Sequence, residues 1–344
     1  MEPQITAIAY ALLAALFYAL NVPCSKGLLA NVPPICLAGL LYVGAGLGVG
    51  AMYFFNHKKE SLATRLSRAD LPYAAGMVAL DVAAPILLMF GVKLGTSANA
   101  SLLGNFENVA TTMIAMMLFR ERVSPRLWVA VALIAVASFM LSFEGAEGLK
   151  FSIGSILVLG ATVCWGLENN CTRRISEKST YQIVTIKGLC SGVASLALSF
   201  AAGEEWPPIR FVAPALGLGF VAYGLSIFTY VRAQRDLGAA KTSAYYAIAP
   251  FAGAFLSFAF LGETLSPLYL AALAVMVAGT AFAVYDTLFH SHSHSHTHRI
   301  VHTHDGRTHV HLIEHTHQHS HCLSEERHGH HHPAVELLQG HHDS

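Results

Sequence analysis

The chain has 344 residues, of which 54% are hydrophobic and 12% are charged, and its 21 acidic and 21 basic side chains give a formal net charge of zero. Soluble domains carry roughly 25% charged residues, so this composition excludes an ordinary soluble protein. The absence of a basic excess gives no reason to expect nucleic acid as a partner.

Ten apolar stretches, each long enough for a membrane-spanning helix, follow one another from the N-terminus. They predict an all-α membrane protein with ten transmembrane helices, at residues 5–23, 34–55, 71–92, 96–119, 125–143, 151–171, 180–202, 212–234, 240–261 and 267–288. Residues 290–344 differ from this membrane part, because they are polar and contain 19 of the 20 histidines.

Lysine and arginine are distributed unevenly between the two sets of alternate loops. One set carries thirteen of these residues, and the other carries four, which are Lys26, Lys93, Lys150 and Arg210. Basic residues are enriched in cytoplasmic loops. We therefore expect a multi-pass protein of the cell (inner) membrane with both termini in the cytoplasm.

The membrane part repeats itself with an offset of 142 to 148 residues. The segment from Glu121 to Pro125 (ERVSP) recurs from Glu263 to Pro267 (ETLSP). Further pairs are Phe17 with Trp165, Asn21 with Asn169, and Lys26 with Arg174. The two copies, 1–145 and 146–289, would each hold five helices, and an odd number forces them into opposite orientations. A homodimer of the whole chain is compatible with this plan.

These motifs resemble the EamA-type members of the drug/metabolite transporter superfamily over residues 5–288. The resemblance is carried by Tyr223–Ser226 (YGLS), Arg235–Ala239 (RDLGA), Pro250 and Gly262–Glu263, and in the first copy by Lys93–Ala98 and Phe119–Glu121. It implies a ten-helix carrier of amino acids, other metabolites or toxic compounds. It also implies a central cavity lined by helices one, three and four and their counterparts. The chain departs from the pattern where Asn105-Phe106-Glu107 stands opposite Pro250, so no other member's substrate is transferred to it.

Two acidic residues, Asp81 and Glu107, lie about halfway along the third and fourth predicted helices. An ionisable residue at the membrane centre costs about 2.5–3.5 kcal/mol on insertion scales, so each one is a functional hypothesis. Adjacent antiparallel helices would bring both carboxylates to one cavity, to exchange a coupling proton or to hold a cationic substrate. The alternative is that each acid pairs with a polar neighbour, such as Lys187 or Asn105, for purely structural reasons.

Further candidates for a substrate or coupling-ion site are the polar and aromatic residues Asn21, Asn105, Trp165, Glu168, Asn169, Tyr223, Tyr245 and Tyr246. Glu168 lies near the cytoplasmic end of its predicted helix and alternatively pairs with Arg173 or Arg174. The aromatic side chains alternatively serve helix packing or the interfacial belt.

The tail alternates histidine with serine or threonine from His290 to His298 and continues in pairs. In an extended chain residues i and i+2 lie on one side, about 6.5–7 Å apart, which suits chelation. Imidazole binds zinc, nickel or cobalt. The candidate metal ligands are His290, His292, His294, His296, His298, His302, His304, His309, His311, His315, His317, His319 and His321. Without metal we expect a disordered segment. The alternatives are a purification tag and a tail that changes its charge near pH 6.5.

The sequence therefore favours a secondary-active transporter of a small metabolite or drug-like solute, working by alternating access, with a cytoplasmic tail that binds transition metal. The alternative is a transition-metal cation (Zn, Ni or Co) transporter whose tail collects or senses the ion. We expect no enzyme and no required cofactor, because the membrane part has a single histidine, His57, and no phosphate-binding loop motif. The expected partners are the lipid bilayer, a small-molecule substrate and transition metal ions.

Overall fold

The computed structural model describes residues 2–56, 66–119, 124–144, 150–175, 178–237, 242, 245–263, 266–288, 291–304 and 307–320. The chain divides into two units, Met1–Val284 and Tyr285–Ser344. The first unit is built almost entirely of helices, and the second contains a pair of strands.

Seven helices form the first half of the membrane part: α1 (Glu2–Ala19), α2 (Asn21–Leu28), α3 (Pro34–Asn56), α4 (Leu71–Leu94), α5 (Ser97–Leu103), α6 (Phe106–Phe119) and α7 (Pro125–Leu141). A short antiparallel pair of strands follows, β1 (Phe143–Glu144) and β2 (Lys150–Phe151). The second half contains α8 (Ile153–Arg173), α9 (Thr180–Ala201), α10 (Ile209–Gly219), α11 (Ser226–Leu237), α12 (Ala249–Leu261) and α13 (Pro267–Leu288). A π-helical turn, Phe220–Leu225, joins α10 to α11.

Six helical stretches among the described residues are long and apolar enough to cross a membrane: Ile5–Leu28, Pro34–Phe55, Arg68–Leu94, Thr180–Ala201, Ile209–Ala233 and Pro267–Asp286. Pro125–Leu141 and Ala249–Leu261 are shorter apolar helices. Large side chains such as Phe54, Phe200 and Phe255 are exposed on these helices, as a surface that faces lipid requires. The helical, multi-pass membrane fold is confirmed, while the count of ten spanning helices stays a prediction.

Three stretches that the sequence predicts as continuous helices are interrupted within their predicted bounds. The ring of Pro23 excludes a helical hydrogen bond to the carbonyl of Ala19, and α1 ends there. Pro250 acts in the same way four residues after Tyr246, and a turn at residues 247–248 precedes α12. Between α5 and α6 the chain makes a turn at residues 104–105, Gly-Asn.

The largest helix contacts recur when each helix is replaced by its counterpart in the other copy. Helix α3 packs against its own counterpart α9, and α5 packs against its counterpart α12. The pair α4 with α8 corresponds to the pair α11 with α1, because each joins the third helix of one copy to the first of the other. The repeat read from the sequence is therefore also a repeat of the packing.

Glycine permits the close approach of α3 and α9. A Cβ atom added to Gly188 would lie 2.5 Å from the Cα atom of Gly46, and one added to Gly46 would lie 2.6 Å from the backbone nitrogen of Leu189. Real Cβ atoms do not approach backbone atoms so closely, so no larger residue is accommodated without moving a helix.

Charged side chains satisfy the free backbone groups at several helix ends. The Glu263 carboxylate accepts hydrogen bonds from the backbone N–H groups of Ser97 and Ala98, at 2.7 and 2.8 Å, at the start of α5. The Glu204 carboxylate accepts from Ile35 and Cys36 at the start of α3. These are the unpaired N–H groups that every helix leaves at its N-terminus.

The second unit contains the antiparallel strands β3 (Ser291–His304) and β4 (Arg307–Ser320). Their register places four pairs of histidines opposite each other: His292 with His319, His294 with His317, His296 with His315, and His302 with His309. The extended backbone has the periodicity that the alternating histidines predict. The expectation of a disordered segment in the absence of metal stays a prediction, and His290 and His321 lie outside the described residues.

We predict that Gly188→Ala lowers the free energy of unfolding by about 1–3 kcal/mol, because its Cβ atom forces α3 and α9 apart. Gly217→Ala is the matched control, since a Cβ atom added to Gly217 meets nothing within 4 Å. Thermal unfolding of the purified variants in detergent measures both changes. Equal stability of the two variants would contradict the close packing of α3 against α9.

Candidate functional site

A cavity of about 710 Å³, including the space at its open side, lies where the interrupted helices meet. Residues from α1, α4, α5, α6, α8 and α12 line it, and so do turn residues between α5 and α6 and before α12. The lining includes Tyr18, Ala19, Ser101, Gly104, Asn105, Glu107, Thr162, Trp165, Tyr246 and Pro250. Both copies of the repeat therefore contribute to the cavity, and all three helix interruptions border it.

Glu107 is the carboxylate of this cavity. Its Oε1 atom accepts a hydrogen bond from the Asn169 side-chain amide at 2.7 Å, and the same amide donates to the Thr111 hydroxyl at 3.3 Å. Among the described residues, no lysine, arginine or histidine forms an ion pair with Glu107. Its carboxylate is therefore bound by a neutral hydrogen-bond donor, and the Lys187 ammonium acts on it electrostatically without forming an ion pair with it.

Two further polar side chains of the lining have atoms without a hydrogen-bond partner. Asn105 is 1% exposed and Ser101 is 6% exposed. The Asn105 amide nitrogen donates to the backbone carbonyl of Leu102 at 3.3 Å, which leaves its Oδ1 atom unpaired. The Ser101 hydroxyl is also unpaired. Buried polar atoms are nearly always paired, so these two atoms point to a bound solute or water.

Outside the cavity lining, three charged side chains form a buried cluster that we call the charged triad: Asp81, Glu168 and Lys187. The Lys187 ammonium lies 3.1 Å from Asp81 and 3.0 Å from Glu168. The Tyr42 hydroxyl donates to the Asp81 Oδ1 atom at 2.9 Å, and the Thr172 hydroxyl donates to the Glu168 carboxylate. One cation and two carboxylates leave a formal excess of one negative charge in a site from which water is largely excluded.

Tyrosine rings connect the cavity to the charged triad. The Tyr18 ring, which lines the cavity, lies 6.1 Å from the Tyr223 ring in an edge-to-face arrangement. The Tyr223 ring lies 5.2 Å from the ring of Tyr42, whose hydroxyl binds Asp81. Asn21 fixes this path, because its amide donates to the Tyr223 hydroxyl at 2.8 Å.

The structure brings most of the predicted site residues together. Asn105, Glu107 and Trp165 line the cavity, and Asn169 and Tyr223 contact residues that line it. Asn21 is one step further away, because it contacts Tyr223. Asp81 and Glu168 belong to the charged triad, so Asp81 has the lysine partner of the structural alternative. Glu168 pairs with Lys187. Tyr245 is 37% exposed and does not line the cavity, whereas Tyr246 does.

Sequence reasoning missed Tyr18, Tyr42 and Ser101, and it treated Lys187 only as a structural partner. Lys187 could have been found, because it is the single lysine inside the predicted helix 180–202. Nothing in the sequence distinguishes Tyr18 and Tyr42 from packing residues.

Metal binding has no side-chain site in the part of the chain that the structure describes in detail. The described residues contain no group of three or more histidine, cysteine, aspartate or glutamate side chains that could hold a metal ion. The candidate ligands of the tail are placed only by the register of their backbone.

Residues 5–143 and 152–285 match the EamA-like transporter family. The chain is 25% identical over 270 residues to an uncharacterized transporter of Methanothermobacter thermautotrophicus, covering 74% of this chain and 78% of that one. It is 25% identical over 252 residues to the uncharacterized inner membrane transporter YedA of Escherichia coli K12, covering 71% of this chain and 79% of the relative. One crystal structure, at 19% identity, superposes with a TM-score of 0.60 over 80% of this chain and 95% of its own. This last likeness concerns the fold alone.

We predict that Lys187→Met destabilises the protein by about 3–5 kcal/mol, because it leaves two buried carboxylates without a cation. The triple variant Lys187→Met, Asp81→Asn, Glu168→Gln carries no charge at these positions and should recover much of that loss. Thermal unfolding in detergent compares the two. A triple variant no more stable than the single one would show that the charge imbalance is not the cause.

Proposed function

Because the chain belongs to the EamA-like transporter family, we propose that it is a secondary-active carrier that moves a small metabolite or drug-like solute by alternating access. The family and the relatives make it a multi-pass membrane transporter and not an enzyme. The observation that carries the finer proposal is the cavity, since interrupted helices of both copies border it. Binding near the midplane, between repeats and beside broken helices, is typical of such carriers.

The repeated packing supports alternating access. If the two copies have opposite orientations, exchanging their conformations converts a cavity open to one side into a cavity open to the other. The contact of α4 with α8 has a counterpart in the contact of α11 with α1, so the two can exchange their geometries, while α3 with α9 and α5 with α12 are contacts between counterparts. In this proposal both termini and the tail are cytoplasmic, as the loop charges predict.

Coupling to an ion is assigned to the charged triad. Its excess negative charge in an apolar medium favours the uptake of one positive charge, which a proton supplies. Release of that proton changes the charge next to Tyr42, and Tyr42 contacts Tyr223, whose ring borders Tyr18 in the cavity. Proton exchange at Asp81, with Glu107 as the second carboxylate, would therefore drive solute movement.

The tail is assigned the binding of transition metal, with zinc, nickel or cobalt as the expected ions. The register of β3 and β4 supports this, because two pairs that are two residues apart, His292 with His319 and His294 with His317, place four histidines on one side of the ladder. Imidazole nitrogens in sets of four suit tetrahedral zinc. Metal as the transported cargo has no supporting observation among the described residues of the membrane part, so we do not adopt it.

We predict that Asp81→Asn abolishes the accumulation of solute that a pH gradient drives in proteoliposomes, while downhill exchange continues. The reason is that the asparagine keeps the shape of Asp81 but removes the excess negative charge of the triad. Uptake of a broad panel of metabolites with and without the gradient measures the effect.

Asp70→Asn is the matched control, because Asp70 lies just before the N-terminus of α4, outside the triad, and pairs with Lys178. It should retain accumulation. Gradient-driven accumulation by Asp81→Asn at the wild-type level would remove the triad from the coupling step.

We predict that deletion of residues 290–344 removes most zinc or nickel binding in calorimetry and leaves the membrane part folded. Deletion of residues 322–344 is the control, since it keeps all thirteen candidate ligands and should retain most of the binding. Full binding after the longer deletion would place the metal site elsewhere in the chain.

A further inference from the structure

The cavity bordered by the three helix interruptions contains a carboxylate, Glu107, that forms no ion pair with a described residue. Its carboxylate, Glu107, is bound by the neutral amide of Asn169, whereas the other two carboxylates near the centre of the molecule, Asp81 and Glu168, share Lys187. A carboxylate that borders a largely apolar cavity needs a positive charge close to it. Within the described residues, the Lys187 ammonium forms ion pairs with the two carboxylates of the triad, whereas it reaches Glu107 only by an electrostatic interaction beyond ion-pair distance.

The unpaired atoms in the cavity also favour a hydrogen-bond donor as the missing partner. The Asn105 Oδ1 atom is a carbonyl oxygen and accepts hydrogen bonds only, while the nitrogen of this amide donates to the backbone carbonyl of Leu102. The Ser101 hydroxyl can accept as well. Together with the Glu107 carboxylate they form a set of acceptors on consecutive turns of one interrupted helix.

Aromatic side chains complete the lining. Tyr18, Trp165 and Tyr246 line the same cavity, and the rings of Tyr18 and Tyr246 lie 6.0 Å apart. The faces of aromatic rings attract cations within about 6 Å of the ring centre. They also give an apolar body of a solute a surface to pack against.

We propose that the cavity binds solutes that carry a protonated amine on a compact apolar body, with the ammonium group at Glu107. This inference rests on the carrier function proposed above and names its substrate class. The ammonium donates to the Glu107 carboxylate and to the Asn105 Oδ1 atom, and the apolar body packs among the rings. A solute that carries only a carboxylate is rejected, because it would meet the unneutralised charge of Glu107.

The test is calorimetry on the purified full-length protein with three probes that share one phenyl body. Phenethylamine carries an amine alone, phenylalanine carries an amine and a carboxylate, and 3-phenylpropionate carries a carboxylate alone. We expect at least one of the two amines to bind at least about tenfold more tightly than 3-phenylpropionate, which corresponds to about 1.4 kcal/mol. The stronger of the two tells whether the site takes free amines or amino acids.

Three variants assign the preference to Glu107. Glu107→Gln keeps the size of the side chain and an acceptor for Asn169, and it should weaken amine binding by about tenfold or more. Glu107→Asp keeps the charge and should keep the preference for amines. Glu204→Gln is the control for a carboxylate-to-amide change, because Glu204 accepts from the start of α3 and does not line the cavity.

Binding of neither amine, or equal amine affinity in wild type and a folded Glu107→Gln, would overturn the proposal. Preferential binding of 3-phenylpropionate would overturn it as well. The binding assay does not depend on transport. Uptake in proteoliposomes of a solute without an amine, unaffected by Glu107→Gln, would therefore leave the carrier function intact and refute the amine site alone.

Discussion

The hydrocarbon core of a bilayer contains no water, so every polar group within it must find its partner inside the protein. This constraint explains most of the polar contacts of the chain. Lys187 neutralises buried carboxylates, and Glu263 and Glu204 accept from the free N–H groups at the starts of α5 and α3. The exceptions are informative for the same reason. Among the described residues, seven buried side-chain atoms lack a hydrogen-bond partner, and two of them, Asn105 Oδ1 and Ser101 Oγ, border the cavity that Glu107 also lines. A solute in this cavity can donate hydrogen bonds to these oxygens.

The cavity and the charged triad are separate sites joined by aromatic packing. Tyr42 and Lys187 stand 145 residues apart, within the offset of the repeat, and both bind Asp81. The corresponding position of each copy thus contacts Asp81, but its side chain differs: the first copy has the hydroxyl of Tyr42 and the second has the ammonium of Lys187. The group around Asp81 is therefore asymmetric, although the helices around it are arranged symmetrically. In the proposed mechanism the two halves move as equivalent units, while the charge changes at the single carboxylate of Asp81.

The sequence was sufficient to predict the features that depend on how residue types are distributed along the chain. Apolar length located the helices, the doubled ERVSP and ETLSP segments located the repeat, and the rarity of membrane acids singled out Glu107 and Asp81. It was insufficient for features that depend on how a helix is rotated about its axis. A helix that is apolar all round has no pattern that fixes its buried face, so the choice between Tyr245 and Tyr246 was open. All three helix interruptions were missed. Pro23 and Pro250 mark two of them in the sequence, whereas the turn between α5 and α6 contains no proline.

The glycine contact between α3 and α9 has a mechanical consequence. Backbones this close cannot separate without losing their packing, so a change of angle between α3 and α9 would have to take place about the contact of Gly46 with Gly188. Helix α3 has 23 residues. At 1.5 Å per residue, each half of α3 is about 17 Å long, and a rotation of about 10° about its centre moves the helix ends by about 3 Å. A rotation about the contact of Gly46 with Gly188 would therefore convert a small change of angle between α3 and α9 into opposite openings at the two membrane surfaces.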